Sequence, residues 1–281
     1  MTPLPEKDDG ALRLLVVNPN TSEDMTHGME QAIASMNLPH SLNITMYTAP
    51  LDSGSPASIN NADDIETSAQ AVWKHMRDTH VLERNYHGVL IACYSSHPLV
   101  SRIAGHYPSI AVTGIFEASI VAALPLLRRT SPRDSSGGGG WGGGWGGGWG
   151  IVTTGQFWED HLASAVREFL GDQKANVNRW FRGVFTTGLN AGDFHGDVSP
   201  ETVMDKLTQA TKRLLQDGGV DCVIMGCAGM AGLEDIIRSA IKAEYGEHQA
   251  KNVYVLDGVR AGVEVLGNMV KMRRMFLPLQ A

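Results

Sequence analysis

The sequence predicts an α/β fold of two pseudo-symmetric lobes, each a four-stranded parallel sheet flanked by helices, with an active site in the cleft between them. Two short apolar stretches, residues 88–98 (GVLIACYSSHP) and 221–232 (DCVIMGCAGMAG), each run into a cysteine and then into turn-forming residues. Such a run, followed by a helical pattern, is typical of a buried strand in a parallel sheet. In addition, residues 150–162 (GIVTTGQFWEDHL) in the second half repeat the strand–loop–helix order of residues 14–25 (LLVVNPNTSEDM) in the first. This repetition predicts two lobes related by a pseudo-twofold axis.

Strands and helices are expected to alternate along the chain. Strands are predicted at residues 12–17, 42–48, 110–115, 151–154, 181–187 and 253–257, and in the runs that end at Cys93 and Cys227. Helices are predicted through Met25, Met29, Ile33 and Met36, at 62–78, 117–127, 157–170, 200–215 and 233–245, and from about residues 98 and 260. The spacing of apolar residues is the basis of each assignment.

The chain is expected to divide into a first lobe of residues 11–115 with 258–281 and a second lobe of residues 116–257. Residues 1–10 are expected to be a disordered tail, and a Gly/Trp low-complexity insertion is predicted at 131–148. The insertion contains G-x-G-x-x-G, but a polar linker precedes it and a strand follows, whereas a dinucleotide site needs a strand before and a helix after. We therefore predict a flexible surface insertion, with Trp141 and Trp145 folding over a site as the alternative.

Composition narrows the class of protein. The chain has 281 residues, 43% of them hydrophobic and 19% charged, as expected for a soluble globular protein. A net charge of −7 argues against a nucleic-acid partner, and no apolar run approaches the roughly 18 residues of a membrane span. Three cysteines without a signal peptide indicate a reducing compartment. We expect a cytoplasmic protein with neither a membrane nor a nucleic-acid partner.

Two of the three cysteines are candidate catalytic residues because of their positions. Free cysteines usually pack as small hydrophobes, and Cys222, in mid-strand, fits that role. Cys93 and Cys227 instead end their strands, where ligands of open α/β sheets bind and where helix N-termini favour thiolates. The spacing of Cys222 and Cys227 lacks the second ligand pair of a zinc site, so no metal is expected. The sequence therefore predicts one functional thiol on each side of the cleft.

Two facing thiols suit the inversion of a carbon next to a carbonyl without a cofactor. One face of that carbon must lose a proton while the other gains one, and a thiolate/thiol pair does both. An ordinary thiol pKa of about 8.5 needs only modest lowering, which we expect helix N-terminal amides to supply. Nearby, His97 is expected to be exposed or to cap a helix, and Glu117 fits a helix-dipole charge as well as a substrate contact.

Five motifs resemble the hydantoin/allantoin racemase family, part of the wider aspartate/glutamate racemase superfamily, and occur in that family's order. They are Asn18-Pro19-Asn20-Thr21, residues 54–59 (GSPASI), Cys93-Tyr94-Ser95, Gly114-Ile115-x-Glu117-Ala118 and residues 226–230 (GCAGM). The resemblance runs from about residue 12 to about residue 272, apart from the insertion. The GCAGM stretch is its most specific part.

The resemblance implies a cofactor-independent racemase of a cyclic ureide, allantoin or a 5-substituted hydantoin, with Cys93 and Cys227 as the two acid/base residues. It implies substrate contacts, many of them through backbone amides, at Asn18, Asn20, Tyr94, Ser95, Thr153, Thr154 and Ala228. The resemblance is also compatible with a homo-oligomer. Many members have an aspartate shortly after the first cysteine, where this chain has Ser95-Ser96. That difference could change the substrate or the pKa of the thiol.

Other functions stay open at this point. An aspartate- or glutamate-type amino-acid racemase is one, although no Arg or Lys lies in the motif loops to bind a free carboxylate. A decarboxylase or a cis–trans isomerase would need only one of the cysteines. A catalytically silent ureide-binding or regulatory protein of the same fold is a different class. Titration of both thiols, and loss of activity on replacing either, would separate these alternatives.

Overall fold

The strands form two separate parallel sheets in the computed structural model, which describes residues 11–128, 147–171, 180–194, 196 and 198–277. The first sheet contains β1 (Leu12–Asn18), β2 (Leu42–Thr48), β3 (Gly88–Ile91) and β4 (Ala111–Gly114) in the order β2-β1-β3-β4. The second contains β5 (Gly148–Thr153), β6 (Phe181–Thr186), β7 (Val220–Met225) and β8 (Tyr254–Asp257) in the order β6-β5-β7-β8. The matching orders confirm the predicted fold of two pseudo-symmetric four-stranded sheets.

Within the described residues, eight α-helices follow the strands. They are α1 (Glu23–Ala34), α2 (Ala62–Asp78), α3 (Pro98–His106), α4 (Ile115–Ala123), α5 (Phe157–Phe169), α6 (Pro200–Leu215), α7 (Glu234–Ala250) and α8 (Gly258–Phe276). Local sequence explains several of their N-termini, because the side chains of Ser22, Asn61, Ser199 and Asp257 each accept a main-chain N–H from the first turn. Helix α4 is shorter than predicted, since a 3₁₀ turn at Leu124–Leu126 that contains Pro125 replaces its last part.

The central strand of each sheet is buried on both faces. Leu14, Val16 and Val17 of β1 are completely inaccessible to solvent, as are Ile151 and Val152 of β5. Helices cover both faces of a parallel sheet, so its strands can be apolar throughout rather than alternating. This burial explains why the apolar runs identified these strands correctly.

The predicted C-terminal boundary of the insertion was wrong. We expected residues 131–148 to belong to it, but β5 begins at Gly148, and Trp149 is completely buried against Phe181 with ring centroids 4.7 Å apart. The repetitive Gly/Trp pattern concealed a core residue, because the burial of Trp149 depends on its pairing with the neighbouring strands β6 and β7. The tail at 1–10, Trp141 and Trp145 lie outside the described residues.

Helix α8 carries the C-terminal part of the chain back to the first sheet. It packs along α4 and also contacts β3, β4 and α1. Helix α4 in turn touches β7 and β8 of the second sheet, so these two helices connect the lobes. The division at residues 115 and 258 stays a prediction. None of the helices in the described ranges has both the length and the apolar composition needed to cross a membrane.

Asp221 of β7 holds the segment that follows the 3₁₀ turn at Leu124–Leu126. Its carboxylate, 1% exposed in β7, accepts hydrogen bonds from the main-chain nitrogen of Arg128 and from Nε of the same residue, both at 2.9 Å. We expect Asp221→Asn to lower the free energy of unfolding by about 2 kcal/mol, since hydrogen bonds to charged groups contribute about 1.5–3 kcal/mol. In a chain of this size the melting temperature should fall by roughly 4–8 °C.

The matched control for this stability measurement is Glu66→Gln. Glu66 pairs with Arg102 at 2.7 Å, but its side chain is 47% exposed, and exposed ion pairs contribute less than about 1 kcal/mol. Equal losses of melting temperature in the two variants, followed by circular dichroism, would contradict the role assigned to Asp221.

Candidate active site

The two candidate cysteines occupy equivalent positions at the carboxyl ends of the two sheets. In the first, the amide of Ala92 extends the pairing beyond β3 by donating to the carbonyl of Val17 at 2.8 Å. In the second, the amide of Gly226 donates to the carbonyl of Val152, also at 2.8 Å. The next residue in each case is the cysteine, so the same hydrogen bond to the central strand positions Cys93 and Cys227.

Both cysteines line one small cavity between the lobes. Its volume is about 30 Å³, roughly twice the 10–15 Å³ that one water molecule needs. Its lining residues are Asn20, Met25, Ile59, Ala92, Cys93, Tyr94, Thr154, Trp158, Ala191, Gly226, Cys227, Ala228 and Gly229. Among the described residues, no Asp, Glu, Lys, Arg or His lines it. The cavity is therefore apolar, with a few neutral polar groups and two thiols.

The thiols have different surroundings. Sγ of Cys93 is 3.4 Å from the Ser95 hydroxyl, whereas Sγ of Cys227 accepts the main-chain N–H of Gly229 at 3.3 Å. Burial raises the pKa of Cys93 to about 12 and that of Cys227 to about 11. The expected lowering of the thiol pKa was wrong, because loss of solvation outweighs the amide hydrogen bonds at Cys227 and the hydroxyl at Cys93.

The position of the family's aspartate is occupied by a neutral network. Ser95 is completely buried against Cys93, and His97 caps α3 by accepting the Leu99 N–H at Nδ1. The Ser68 hydroxyl donates to the Ile65 carbonyl at 2.8 Å and is 3.0 Å from Nε2 of His97, so Nε2 carries the histidine proton. Burial lowers the pKa of His97 to about 3. The imidazole is therefore neutral and gives Cys93 no cationic neighbour at this position. Of the two expectations for His97, solvent exposure was wrong because the residue is buried, and helix capping is what the structure shows.

The two asparagines of the first loop have different surroundings. Nδ2 of Asn18 donates to the Ser22 carbonyl and to the Thr26 hydroxyl, both at 3.0 Å, and Asn18 does not line the cavity. Asn20 does line it, although its Oδ1 accepts the Ser22 amide at 2.9 Å and its Nδ2 lies 3.3 Å from the sulfur of Met25. Asn18 thus shapes the loop that presents Asn20.

The two threonines at the end of β5, Thr153 and Thr154, differ in the same way. The Thr153 hydroxyl donates to the Gly226 carbonyl and ties the ends of β5 and β7 together, away from the cavity. Thr154 lines the cavity, and within the described structure its hydroxyl makes no hydrogen bond. Of the seven predicted contact residues, Asn20, Tyr94, Thr154 and Ala228 line the cavity, whereas Asn18, Ser95 and Thr153 lie behind it.

Main-chain amides are the donors closest to the cysteines along the chain. The Tyr94 hydroxyl is 2.8 Å from that of Ser119, and Ser119 donates to the Phe116 carbonyl, so the phenol proton is donated to Ser119 and not to a ligand. Within the described part of the chain, the amide nitrogens of Tyr94 and Ala228 donate no hydrogen bond, and both residues line the cavity. They can therefore bind an oxygen on which negative charge develops.

Several lining residues were missed from the sequence. Met25, Ile59 and Trp158 form apolar walls, and their positions in a helix, a loop and another helix resemble ordinary core positions. Ala191 comes from the loop after β6, and its amide donates to Oδ1 of Asn60 at 3.3 Å. That bond links loops of the two lobes beside the cavity, a contact between distant segments that no local sequence pattern reveals. Among the described residues, no group of three His, Cys, Asp or Glu side chains is placed to hold a metal ion.

Comparisons with known proteins agree with this geometry. The family model for Asp/Glu/hydantoin racemases matches residues 14–266. A hydantoin racemase of Pseudomonas sp. (strain NS671) is 28% identical over 259 residues, which cover 92% of this chain and 86% of that protein. The structure of allantoin racemase from Klebsiella pneumoniae has a TM-score of 0.68 at 22% identity, covering 93% of this chain and 89% of its own. For allantoin racemase AllR from Pseudomonas fluorescens the TM-score is 0.66 at 21% identity, covering 93% and 92%. The two structural similarities show a shared fold.

Proposed function

The chain belongs to the Asp/Glu/hydantoin racemase family, and from that premise we propose that it racemises a cyclic ureide, allantoin or a 5-substituted hydantoin, by proton transfer between Cys93 and Cys227. The observation that carries the proposal is the pairing of two thiols, from equivalent positions in the two lobes, in one cavity with an uncharged lining. A neutral ring fits such a lining, whereas a free amino acid would leave its carboxylate and ammonium groups without charged partners.

The proposed reaction inverts the ring carbon between the two sulfurs. The thiolate on one side removes the proton from ring carbon C5, and the electron pair moves toward the neighbouring carbonyl oxygen. In this proposal the amides of Tyr94 and Ala228 stabilise the charge on that oxygen. The thiol on the other side then donates its proton to the opposite face of C5. The first sulfur ends as a thiol and the second as a thiolate, so no proton is gained or lost and no cofactor is required.

Substrate entry requires the cleft to open. A cavity of about 30 Å³ has room for about two water molecules, which is less than a substituted five-membered ring needs. The hydrogen bond between Asn60 and Ala191 joins the two lobes beside the cavity, so we propose that this contact breaks on entry. Closure around the ring would then exclude water from the proton transfers.

The test is polarimetry of both enantiomers of allantoin and of 5-benzylhydantoin in D₂O, with deuterium at C5 measured by NMR. We expect loss of optical rotation together with deuterium incorporation for at least one ring. An amino-acid racemase would act instead on aspartate or glutamate. If no ureide loses its optical rotation although the protein still binds one of them, the protein is a ureide-binding protein rather than a racemase.

The rate of racemisation should rise with pH. The thiolate is the base, and burial raises the pKa of Cys227 to about 11 and of Cys93 to about 12. The active form of the protein has one proton on the two sulfurs together. The fraction of protein in this form increases as the pH approaches 11 and declines only above 12. Between pH 7 and 10 we expect kcat/KM to rise by up to about tenfold per unit. The rate measured with the Cys93→Ser/Cys227→Ser double variant gives the spontaneous racemisation, which is subtracted at each pH. A plateau already reached at pH 8 would contradict the raised pKa values.

A further inference from the structure

Each of the two sulfurs has a hydrogen-bond contact with the residue two positions after its cysteine. In the second lobe that residue is Gly229, whose main-chain N–H donates to Sγ of Cys227 at 3.3 Å. In the first lobe it is Ser95, whose main-chain N–H donates instead to the Cys93 carbonyl at 3.0 Å. The Ser95 hydroxyl takes the place of that amide, 3.4 Å from Sγ of Cys93. Equivalent contacts thus come from a side chain in one lobe and from the main chain in the other.

The surroundings of Ser95 leave its hydroxyl no other role. Ser95 is completely buried and lies behind the cavity. Among the described residues, the Cys93 sulfur is the only hydrogen-bond partner of this hydroxyl, and without that partner the buried hydroxyl would be unsatisfied. The second lobe has no room for such a side chain, because a Cβ at Gly229 would lie 2.8 Å from the Ala191 carbonyl oxygen. Ser95 therefore acts on a ligand in the cavity through Cys93.

A hydroxyl suits a sulfur that changes its charge. Beside a thiol, the Ser95 hydroxyl can accept the S–H proton or donate its own, and beside a thiolate it rotates to donate. Hydrogen bonds to an ionised partner are stronger than those between neutral groups. The contact therefore stabilises the thiolate of Cys93 more than its thiol, and removal of the hydroxyl should disfavour ionisation of Cys93.

The titratable groups around Cys93 do not supply this stabilisation. Burial raises the pKa of Cys93 to about 12; the Ser95 hydroxyl counteracts this rise, and the charges of Cys227 and Glu117 add to it. His97, at the start of α3, is neutral because burial lowers its pKa to about 3. Ion pairs engage charged groups of the neighbouring helices and of β7: Glu66 with Arg102, Asp221 with Arg128, and Glu234 with Arg260.

We propose that Ser95 is a positioning residue of Cys93: its hydroxyl holds the sulfur at the cavity wall and donates to the thiolate that forms when Cys93 releases its proton. The Gly229 amide does the same for Cys227, so each sulfur has one donor although the two donors differ chemically. Ser95 keeps its own proton, and the proton balance between the cysteines is unchanged. The role in catalysis rests on the proposed racemase function, whereas the hydrogen bond to Cys93 does not.

Alkylation of the thiols tests this role without a substrate. The parent, Ser95→Ala and Ser95→Thr are treated with iodoacetamide at pH 8, 9 and 10, and peptide mass spectrometry follows Cys93 and Cys227 separately. We expect Cys93 to react about three- to tenfold more slowly in Ser95→Ala at each pH, because a smaller fraction of it is thiolate. In Ser95→Thr, which keeps the hydroxyl, the rate should be within about twofold of the parent, and Cys227 should be unchanged in both variants.

The direction of the change separates ionisation of Cys93 from access to it. Alanine is smaller than serine, so a purely structural effect of Ser95→Ala would open the site and speed the alkylation. Ser96→Ala is the matched control, because Ser96 is the exposed neighbour of Ser95, and we expect the parent rate for Cys93 in this variant. Equal or faster alkylation of Cys93 in Ser95→Ala than in the parent would overturn the proposal.

Racemisation by the same variants separates this proposal from the proposed function. We expect Ser95→Ala to lower kcat by about three- to tenfold with little change in KM, and Ser95→Thr to restore it. If Ser95→Ala slows alkylation of Cys93 but no ureide racemises with the parent, the role of Ser95 stands and the proposed function fails. Racemisation by a parent protein whose Cys93 is alkylated no more slowly after Ser95→Ala would show the reverse.

Discussion

Replacing either Cys93 or Cys227 with serine should lower the rate of racemisation by at least about a thousandfold, because general acid–base groups contribute about 10²–10⁴. A serine hydroxyl does not ionise in the range where a thiol does, so one face of the ring carbon loses its proton carrier. Both variants should keep the fold, since serine is similar in size to cysteine and both side chains border a cavity. Polarimetry measures the rate, and circular dichroism verifies folding.

Deuterium exchange distinguishes two-thiol chemistry from general damage to the site. Each single variant retains one thiol, which can still remove and return a proton on its own face. We therefore expect each variant to exchange the C5 proton of one enantiomer without racemising it, and the two variants to act on opposite enantiomers. Exchange of the same enantiomer by both variants would contradict proton transfer from opposite sides.

Cys222→Ala is the matched control for these variants. Cys222 lies within β7, five positions before Cys227, and is completely buried, but it does not line the cavity. We expect the control to racemise at the parent rate with a lower melting temperature, because removal of a buried sulfur leaves a small void. Loss of activity in this control would show that any change in β7 disrupts the site.

Gly229→Ala should lower kcat/KM by about a hundredfold, because a displacement of about 1 Å near reacting groups can cost that much. A Cβ at Gly229 would lie 2.8 Å from the Ala191 carbonyl oxygen and 3.5 Å from Sγ of Cys227. The oxygen belongs to the main chain and cannot rotate away, so either the loop with Ala191 or the turn that holds Cys227 must move. Both shifts disturb the cavity, and the second weakens the N–H···S contact to Cys227.

Gly105→Ala is the comparison for this effect. A Cβ at Gly105, within α3, would meet nothing within 4 Å, and alanine is a better helix former than glycine by about 1 kcal/mol. We expect unchanged kcat/KM and an equal or higher melting temperature for this variant. The close approach of Ala191 would be unimportant for function if Gly229→Ala also kept full activity.

The strands that hold the cysteines could be predicted from sequence because burial on both faces leaves a local signature. The runs before Cys93 and Cys227 are almost wholly apolar, and the repeated order of elements implied that the two runs are equivalent. Residues 42–48, 62–78 and 200–215 were predicted with the bounds that the structure has. Trp149 was the exception, because a glycine-rich neighbourhood hides a residue whose burial depends on pairing with β6 and β7.

The sequence by itself determined the two-sheet fold, the equivalence of Cys93 and Cys227, and the family resemblance, since these follow from local periodicity and short motifs. Only the tertiary structure decided which polar residues reach the cavity: Asn20 and Thr154 line it, while Asn18 and Thr153 hydrogen-bond behind it. It also reversed the expected thiol pKa and brought Ala191 beside Gly229. The physical reason is that burial and contacts between distant segments depend on how the two lobes pack, and short-range sequence patterns do not encode that packing.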